Sequence, residues 1–490
     1  MPDWKPAEPI HNFIAGREVP ARSGRTFDNL NPHTGKPLGA VAASNAQDIA
    51  DAVAAAKAAQ PAWAATPAVQ RGMLLFELVK AMQANADQLG EIVATETGKS
   101  LKASKGEVGG AAQCGLFFAG EGQRLFGRTM TSGTPNKTAM TVRQPVGVAG
   151  LIIAANTPIA NVAWKVFPAL ICGNSVVLKS SEDAPGTAWA FARLAKKFGL
   201  PDGVLNVVHG LGKDAGQPLA EHPDVGVLSF TGSTRVGRLL NRICAERLAK
   251  VSMELGGKNP LIVCDDADLD EAVKWVLLSA FSNAGQRCAS GSRIIVFNSV
   301  YKAFCEKLVK ATRGLKLGVG DDDDLGPVIN ERQLTNMLAA VDAAAKGGAK
   351  VLVGGERATQ AELADGFYMQ PTLVENLDPQ DDFSCTELFG PIAGLYRAAD
   401  FAEAMRLAND SPYGLTACIH TKNFDRAWEF SLKCRSGVAV VNAGTFGSEP
   451  HMPFGGVGLS GNGTREPGTE ALDIYSNLKD IYLNTHPDRT

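Results

Sequence analysis

The feature that most constrains the fold of this chain is an alternation, starting at Val146, of short apolar segments with segments of helical character. Short apolar runs bounded by turn residues are typical of buried strands, and here they cover 150–154, 175–179, 205–208, 227–230 and 261–264. Helical segments begin between them, near Ile159, Pro185, Lys213 and Ser233. This alternation predicts parallel strands covered by helices on both faces, and therefore an α/β domain.

A second series of the same kind runs from about residue 265 to residue 457. Its predicted strands cover 293–297, 350–353, 392–396, 416–420 and 438–442. Ahead of both series, residues 49–120 are rich in Ala, Leu, Glu and Lys at helical spacing, which predicts a helical lead-in. Because 490 residues exceed what one hydrophobic core fills, we expect two parallel-sheet α/β units.

Two segments outside these series have the pattern of exposed strands. Residues 128–143 combine turn residues with short alternating stretches, which predicts an exposed hairpin. Residues 471–483 alternate as well, and this tail could pair with the hairpin or with another subunit.

Composition and charge exclude several kinds of partner. The net charge of −3 gives no positive field to attract nucleic acid. The nine cysteines include no Cys-x-x-Cys pair, so we expect no metal site and a reducing compartment. Residues 1–8 lack the apolar core of a secretory signal, and the most apolar region, 146–172, is interrupted by polar residues and prolines. We expect a cytoplasmic protein that does not span a membrane.

The strongest candidates for chemistry are Cys288 and Glu254. Cys288 follows Gly285, Gln286 and Arg287, which are poor core material, and the neighbouring guanidinium would favour the thiolate. Glu254 follows an alternating apolar stretch and precedes two glycines, which suggest close backbone approach. Together they offer a nucleophile and a base for making and hydrolysing a thioester.

Three further features of the sequence, an asparagine, a pair of glycine-containing loops and a Lys–Glu pair, fit a carbonyl reaction beside a dinucleotide. Asn156 follows the first predicted strand, where its amide could stabilise an oxyanion together with the backbone N–H of Cys288. Gly-containing loops at 210–216 and 230–237 lie between a strand and a helix and could meet a pyrophosphate. Lys179 and Glu182 follow the second strand, and a carboxylate there would accept ribose hydroxyls but repel a 2'-phosphate. This favours NAD over NADP.

In this order, these motifs resemble the aldehyde dehydrogenase superfamily over nearly the whole chain. The resemblance rests on the motifs around Glu254 and Cys288, on their spacing, on Glu387-Leu388-Phe389-Gly390-Pro391 and on residues 453–457. It implies that Cys288 is the nucleophile, Glu254 the base and Asn156 the oxyanion donor. The positions that it implies for cofactor contacts are Ile152, Lys179, Glu182, Gly212, Gly216, Ser233, Gln333, Glu387 and Phe389.

The same resemblance implies a division of the chain into three parts. Residues 1–125 and 146–256 would form an NAD-binding domain, and residues 257–457 a catalytic domain, both Rossmann-like. Residues 126–145 and 458–490 would form a small β element for oligomerisation, which implies a homodimer or a homotetramer.

The implied reaction is NAD-dependent oxidation of a small aldehyde, a semialdehyde or an aromatic aldehyde, to the acid. A thioester forms on Cys288 as hydride passes to the nicotinamide, and water activated by Glu254 releases the acid. The surroundings of Asn156 depart from the family pattern, because small residues replace two aromatics, and the loop 445–452 looks longer than usual. The candidate pocket residues are Phe117, Trp164, Arg287 and Phe446, and Arg287 could meet a distal carboxylate.

Three alternatives are less well supported by the residues. A CoA-acylating semialdehyde dehydrogenase commonly lacks the glutamate base, whereas this chain has Glu254. A Cys–His hydrolase needs a histidine beside Cys288, and none of the seven histidines is near it in sequence. A catalytically silent NAD-binding protein is disfavoured because the full catalytic set is present.

Overall fold

The computed structural model describes residues 9–485. The expectation that residues 1–8 are not a secretory signal, and the last five residues of the predicted assembly segment, 486–490, lie outside the described residues. The chain begins with four strands that the sequence analysis did not predict, and the predicted helical lead-in follows as four helices. These elements are β1 (Asn12–Ile14), β2 (Arg17–Val19), β3 (Thr26–Leu30), β4 (Pro37–Ala42), α1 (Ala46–Ala65), α2 (Ala68–Ala84), α3 (Ala86–Thr97) and α4 (Leu101–Glu121). The predicted hairpin is present as β5 (Thr129–Thr131) and β6 (Lys137–Pro145).

The first α/β series forms a seven-stranded sheet with the order β11-β10-β7-β8-β9-β1-β2. Its elements are β7 (Val148–Ile152), α5 (Pro158–Ile171), β8 (Ser175–Lys179), α6 (Pro185–Lys197), β9 (Leu205–Val208), α7 (Gln217–Glu221), β10 (Val225–Thr231), α8 (Thr234–Glu246) and β11 (Lys250–Glu254). The strands β7 to β11 run parallel, whereas β1 and β2 join antiparallel. The helix expected near Lys213 is a π-helical turn, Gly212–Gly216, that leads into α7.

The second series forms another seven-stranded sheet, with the order β14-β15-β16-β13-β12-β17-β18. Its strands are β12 (Asn259–Val263), β13 (Gly291–Phe297), β14 (Lys350–Val353), β15 (Thr372–Glu375), β16 (Ile392–Ala398), β17 (Thr416–His420) and β18 (Val438–Val441). Its helices are α9 (Leu269–Phe281), α10 (Asn298–Arg313), α11 (Glu331–Lys346), α12 (Asp382–Cys385), α13 (Phe401–Asn409) and α14 (Phe424–Lys433). The segment 261–264 was predicted with the first series, which is wrong, because β12 pairs with β13 and β17.

The end of the described chain consists of a short helix and a long strand, α15 (Ala471–Ile474) and β19 (Ser476–Asn484). β19 pairs antiparallel with β6 from Ser476 opposite Pro145 to Asn484 opposite Lys137. The tail was predicted to pair with the hairpin or with another subunit, and it pairs with the hairpin of the same chain. The start of the tail, predicted as extended, is helical.

Apolar side chains cover both faces of each sheet, as expected for parallel strands. The strands β8, β9, β12 and β17 are buried along their whole length. Between residues 9 and 485, no helix combines the length and apolar character needed to cross a membrane. The confirmed fold class is α/β with two mixed, largely parallel sheets and a small three-stranded sheet, β19-β6-β5.

Candidate active site

Cys288 lies in a loop between α9 and β13 that begins with an unusual backbone. Asn283 and Ala284 have positive φ values of 56° and 51°, and Gly285 follows with a φ of 67°. Left-handed backbone is costly for residues with a side chain and is often found at functional sites. A Cβ on Gly285 would lie 2.0 Å from the carbonyl oxygen of Gly390, so only glycine fits there.

The loop is held from several sides by hydrogen bonds. Gln286 is buried, its Nε2 donates to the Pro327 carbonyl at 3.3 Å, and its Oε1 accepts from the Ile329 N–H at 2.8 Å. Asn156 Nδ2 donates to the Gln286 carbonyl at 3.1 Å, which brings the predicted oxyanion donor to the Cys288 loop. The sequence analysis placed these two segments in different domains, and the structure joins them.

Glu254 is the last residue of β11 and is 5% exposed. Neither carboxyl oxygen has a hydrogen-bond partner among the described residues. Burial raises the pKa of Glu254 well above its ordinary value; the Glu466 carboxylate raises it further, and Lys165 opposes both. The carboxyl group of Glu254 therefore ionises at a higher pH than an ordinary carboxyl group, and only its ionised form can accept a proton.

A buried polar network lies beneath Glu254, and the sequence analysis missed it. Lys165 Nζ donates to Glu466 Oε2 at 2.7 Å and to Ser229 Oγ at 2.6 Å, and the Ser229 hydroxyl donates to Glu466 Oε1 at 2.7 Å. Ser252 and Tyr475 also donate to Glu466 Oε1. The signal available in the sequence was a single lysine inside the apolar segment that became α5, since buried charges need a partner.

The thiol of Cys288 is half-buried and strongly perturbed. Burial, together with the nearby carboxyl groups of Glu387 and Glu254, raises its pKa to about 12. The guanidinium of Arg287, which was expected to favour the thiolate, does not lower the pKa of Cys288 overall, because desolvation of the thiol outweighs that attraction. Arg287 instead stacks over the ring of Phe446, 4.8 Å from its centroid.

The predicted pocket residues divide into two groups. Trp164 and Phe446 pack with Cys288 in a small apolar cluster that also contains Ala289, Leu415 and Phe454. Trp164 meets Phe454 edge-on, with the ring centroids 5.4 Å apart. Phe117 is not part of this cluster; it packs edge-on against Phe118 and on the core of the first sheet. Arg287 has a buried Nε atom without a hydrogen-bond partner among the described residues.

The candidate cofactor residues of the first sheet lie along one edge of it. Ile152 and Lys179 end β7 and β8, and Gly212 and Gly216 bound the π-helical turn after β9. A Cβ on Gly216 would lie 3.7 Å from Ile152 Cδ1, so the turn packs directly against the strand end. Ser233 is the N-cap residue of α8. Ligands of open α/β sheets bind at this carboxyl edge.

Lys179 and Glu182 form an ion pair at this edge, with Nζ 2.8 Å from Oε2. Burial alone would raise the pKa of Glu182, but the Lys179 ammonium group lowers it overall. Glu182 is therefore ionised at neutral pH, and it retains an oxygen that can accept a ligand hydroxyl. These two side chains are the residue types that were predicted to contact the adenosine end of a dinucleotide.

The remaining candidates reach the site from the second sheet. The Glu387 carboxylate accepts the Gly257 N–H at 3.0 Å, and a Cβ on Gly256 would lie 1.9 Å from Glu387 Oε2. Burial raises the pKa of Glu387 to about 7. Phe389, two residues later, has a φ of 56°. Gln333 lies in the first turn of α11, whose N-cap Asn330 donates to Asp183 Oδ1 at 3.1 Å, next to Glu182.

Between residues 9 and 485, no group of three or more His, Cys, Asp and Glu side chains is placed to hold a metal ion. The carboxyl groups of Glu387 and Glu254 lie close enough to Cys288 to raise the pKa of its thiol. The thiol of Cys288, the carboxyl groups of Glu254 and Glu387 and the amide of Asn156 lie where the carboxyl edge of the first sheet approaches the start of β12. Such a fold and site define an α/β oxidoreductase with a dinucleotide edge.

Comparison with known proteins identifies the family. Residues 19–481 match the model of the aldehyde dehydrogenase family, and the chain belongs to this family. It is 35% identical over 475 residues to the alpha-ketoglutaric semialdehyde dehydrogenase of Bacillus subtilis, covering 96% of this chain and 97% of that one. It is 37% identical over 469 residues to the succinate-semialdehyde dehydrogenase [NADP(+)] GabD of Escherichia coli K12, covering 95% and 96%.

The fold agrees with solved structures. The crystal structure of betaine aldehyde dehydrogenase from Staphylococcus aureus, in complex with NAD+, matches with a TM-score of 0.96 and 32% identity over 98% of this chain and 95% of that chain. The chain is therefore an oxidoreductase that converts an aldehyde to a carboxylic acid with NAD(P).

Proposed function

We propose that this enzyme is a hydrolytic, NAD-preferring dehydrogenase of aldehydes that carry a distal carboxylate. The observation that carries the proposal is the convergence of Cys288, Asn156 and Glu254 on one loop between the two sheets. Cys288 is the nucleophile, Asn156 the oxyanion donor and Glu254 the base that activates water. When bound, NAD+ would supply the two-electron acceptor for the oxidation.

The chain's own residues perform the rest of the reaction. The thiol of Cys288 must lose its proton before its sulfur can add to the aldehyde carbonyl. The amide of Asn156 then donates to the oxygen that gains charge, and such a donor is worth about 3 kcal/mol in the transition state. Once the acyl group is a thioester on Cys288, Glu254 takes a proton from water, and the attack of that water releases the acid.

The proposed cofactor contacts are the nine residues along the two sheet edges. At the first edge these are Ile152, Lys179, Glu182, Gly212, Gly216 and Ser233, and from the second sheet they are Gln333, Glu387 and Phe389. NAD is preferred over NADP because the ionised Glu182 would lie beside a 2'-phosphate and repel it. The relative from Escherichia coli is named as an NADP(+) enzyme, so kcat/KM has to be measured with both coenzymes.

The substrate class follows from Arg287. Its guanidinium covers Phe446 at the pocket, and its Nε has no hydrogen-bond partner among the described residues, although the Glu107 carboxylate lies close enough to raise its pKa against the effect of burial. A substrate carboxylate can provide a charge-assisted partner for that guanidinium. The names of the semialdehyde-dehydrogenase relatives agree with a carboxylated aldehyde. Trp164 and Phe446 would form the apolar walls between this carboxylate and Cys288.

We also propose a homodimer or a homotetramer assembled through the hairpin and the tail. The small sheet exposes apolar side chains, with Leu478 63% and Tyr482 59% exposed. Exposed apolar residues that lie together often mark a protein interface.

The proposed division of the chain is 1–125 with 146–256 for the cofactor, 257–457 for catalysis, and 126–145 with 458–490 for assembly. Nine cysteines without a disulfide among the described residues fit the cytoplasm.

The deciding experiment follows absorbance at 340 nm with NAD+ and a panel of aldehydes. The panel comprises succinic semialdehyde, an aromatic aldehyde and an unbranched alkanal. We expect the highest kcat/KM for the semialdehyde, free acid as the product, and no signal from the Cys288→Ala variant. Equal or better turnover of the uncharged aldehydes would overturn the substrate class. Acyl-CoA formed in place of free acid when CoA is present would overturn the hydrolytic mechanism.

A further inference from the structure

The helix that follows Asn156 is capped by a side chain from another part of the chain. α5 begins at Pro158 and has no side-chain cap of its own. Its first N–H groups, those of Ile159 and Ala160, donate to Glu107 Oε1 at 3.1 and 3.3 Å. Glu107 lies in α4, and a carboxylate is the favoured group at a helix N-terminus because of the helix dipole.

Glu107 is itself held by a buried ion pair. Its Oε2 accepts from Lys99 Nζ, and both side chains are 8% exposed. Lys99 thus provides the positive charge that pairs with Glu107 inside the protein, since a lone buried carboxylate is costly. The carboxylate therefore uses both oxygens, one for α5 and one for Lys99.

The position of α5 affects several parts of the active site together. The loop from Asn156 to Pro158 leads directly into the capped turn, and Asn161 Nδ2 ties that turn back to Thr157 O at 2.9 Å. The same helix carries Trp164 of the pocket cluster and Lys165 of the buried network. A shift of the N-terminus of α5 would therefore move the amide of Asn156 relative to the Cys288 loop.

The chain contains a matched case at the next helix. α6 also begins with a proline and lacks a side-chain cap of its own. The fully buried Glu96 accepts the N–H groups of Gly186 and Thr187 at 2.6 and 3.1 Å. Glu96 thus caps the helix after the Lys179–Glu182 loop, whereas Glu107 caps the helix after Asn156. The two glutamates have the same structural task beside different parts of the site.

We propose that Glu107, held by Lys99, is a positioning residue for the oxyanion donor Asn156. This proposal rests on the proposed role of Asn156. Loss of the Glu107 carboxylate leaves two N–H groups of α5 without their acceptor and Lys99 without its partner. The Asn156 amide is then displaced from the oxygen that gains charge in the transition state, and a displacement of about 1 Å can cost about 100-fold in rate.

A double-mutant cycle on the full-length enzyme tests the proposal, with kcat and both KM values measured for Glu107→Ala, Asn156→Ala and the pair. We expect Asn156→Ala to lower kcat by about 100-fold or more. Glu107→Ala should lower it by about 10- to 100-fold, with little change in the KM for NAD+. In the Asn156→Ala background, Glu107→Ala should have almost no further effect, because the group that it positions is absent.

Glu107→Gln is the conservative variant. Its amide oxygen can still accept from Ile159 and Ala160, whereas its amino group cannot pair with Lys99, so its kcat should lie between those of the parent and Glu107→Ala. Glu96→Ala is the matched control, since it removes a buried helix cap of the same kind. Because Glu96 caps α6 and not the helix after Asn156, any fall in kcat that Glu96→Ala causes should be as large in the Asn156→Ala background as in the parent.

The possible results separate the two claims. If Asn156→Ala lowers kcat and the loss from Glu107→Ala is undiminished in that background, the positioning role is wrong while the oxyanion role stands. If Asn156→Ala turns over at the parent's rate, the oxyanion role itself fails. Should Glu107→Ala not fold, the same cycle run with Glu107→Gln gives the answer, and a loss that persists without Asn156 again contradicts the proposal.

Discussion

The side-chain amide of Asn259 donates a hydrogen bond to the carbonyl oxygen of Cys288 at 2.7 Å. The same amide group donates to the Ser290 carbonyl at 2.9 Å, and its oxygen accepts the Thr416 N–H at 3.1 Å. Asn259 is the first residue of β12 and is 1% exposed. The backbone of the candidate nucleophile is therefore fixed to β12 and β17 by one side chain.

Replacement of Asn259 by Leu is expected to impair catalysis more than its effect on stability explains. The variant leaves three backbone groups at the Cys288 loop and β17 without a partner, and it loosens the nucleophile, so kcat should fall by about tenfold or more. Asn174→Leu is a matched control, because buried Asn174 also donates to two carbonyls and accepts one N–H. Thermal unfolding should show similar losses for both variants. A similar fall in kcat for both would contradict the role of Asn259.

The reactivity of Cys288 towards an alkylating reagent is expected to rise steeply with pH in the enzyme without cofactor. Only the thiolate reacts, and burial raises the pKa of Cys288 to about 12, so the rate should increase about tenfold for each pH unit from 7 to 10. The measurement is iodoacetamide labelling of the Cys288 peptide by mass spectrometry, with Cys288→Ala as the background. A plateau near pH 9, as for an ordinary thiol, would show that the site does not suppress the thiolate.

The buried parallel strands were predictable because they leave a continuous apolar pattern in the sequence. The bounds of β8, β9 and β17 agree with their predicted ranges. The strands β1 to β4 and β15 were missed, since they are short or partly exposed and give no such run. The assignment of β12 to the first sheet was wrong because sheet membership depends on pairing with strands far away in the chain.

The candidate site shows the same limit. Cys288, Glu254 and Asn156 stand in motifs whose local residue types indicate chemistry. Lys165 and Glu466 are 301 residues apart in the chain, and the sequence around either residue does not indicate that the two form an ion pair. Glu107 and Asn259 are equally inconspicuous in the sequence, because their roles depend on backbone groups that only the fold brings to them. The rise in the pKa of Cys288 was not predicted, since burial cannot be read from its neighbours in the sequence.

Replacement of Glu254 by Gln is expected to stop turnover but not the first hydride transfer. Gln has nearly the same shape, yet it cannot take a proton from water, so the thioester should accumulate after about one NADH per active site. Rapid mixing monitored at 340 nm should show this burst, and Cys288→Ser should not. Steady-state turnover close to that of the parent would exclude Glu254 as the base.

The steady-state rate of the parent is also expected to rise with pH above the range in which an ordinary carboxyl group titrates. Burial raises the pKa of Glu254, so its ionised, active fraction increases as the pH increases. The rise in the rate of thioester hydrolysis should be absent in Glu254→Gln. A hydrolysis rate that is independent of pH between 6 and 9 in the parent would contradict this assignment.

Removal of the Glu182 carboxylate is expected to change the coenzyme preference. In Glu182→Ala the repulsion of a 2'-phosphate disappears and Lys179 loses its partner at 2.8 Å, so kcat/KM for NADP+ should rise by about tenfold or more. The value for NAD+ should fall, because a ribose acceptor is lost. Glu246→Ala, which removes an exposed carboxylate at the end of α8, is the control. It should leave kcat/KM unchanged for both NAD+ and NADP+. If Glu182→Ala has the parent's preference between NAD+ and NADP+, the 2'-position of the adenosine ribose does not lie beside Glu182.

Replacement of Arg287 by Met is expected to affect carboxylated aldehydes selectively. A hydrogen-bonded charge pair is worth about 1.5 to 3 kcal/mol, so kcat/KM for succinic semialdehyde should fall by about 10- to 100-fold. Butanal, which has the same number of carbon atoms but no carboxylate, should lose much less, because Met can still pack on Phe446. Arg287→Lys keeps the charge but lacks the planar fork that stacks on that ring, so it should recover only part of the loss. Parallel losses for both aldehydes would instead mean that Arg287 supports the Cys288 loop and does not contact the substrate carboxylate.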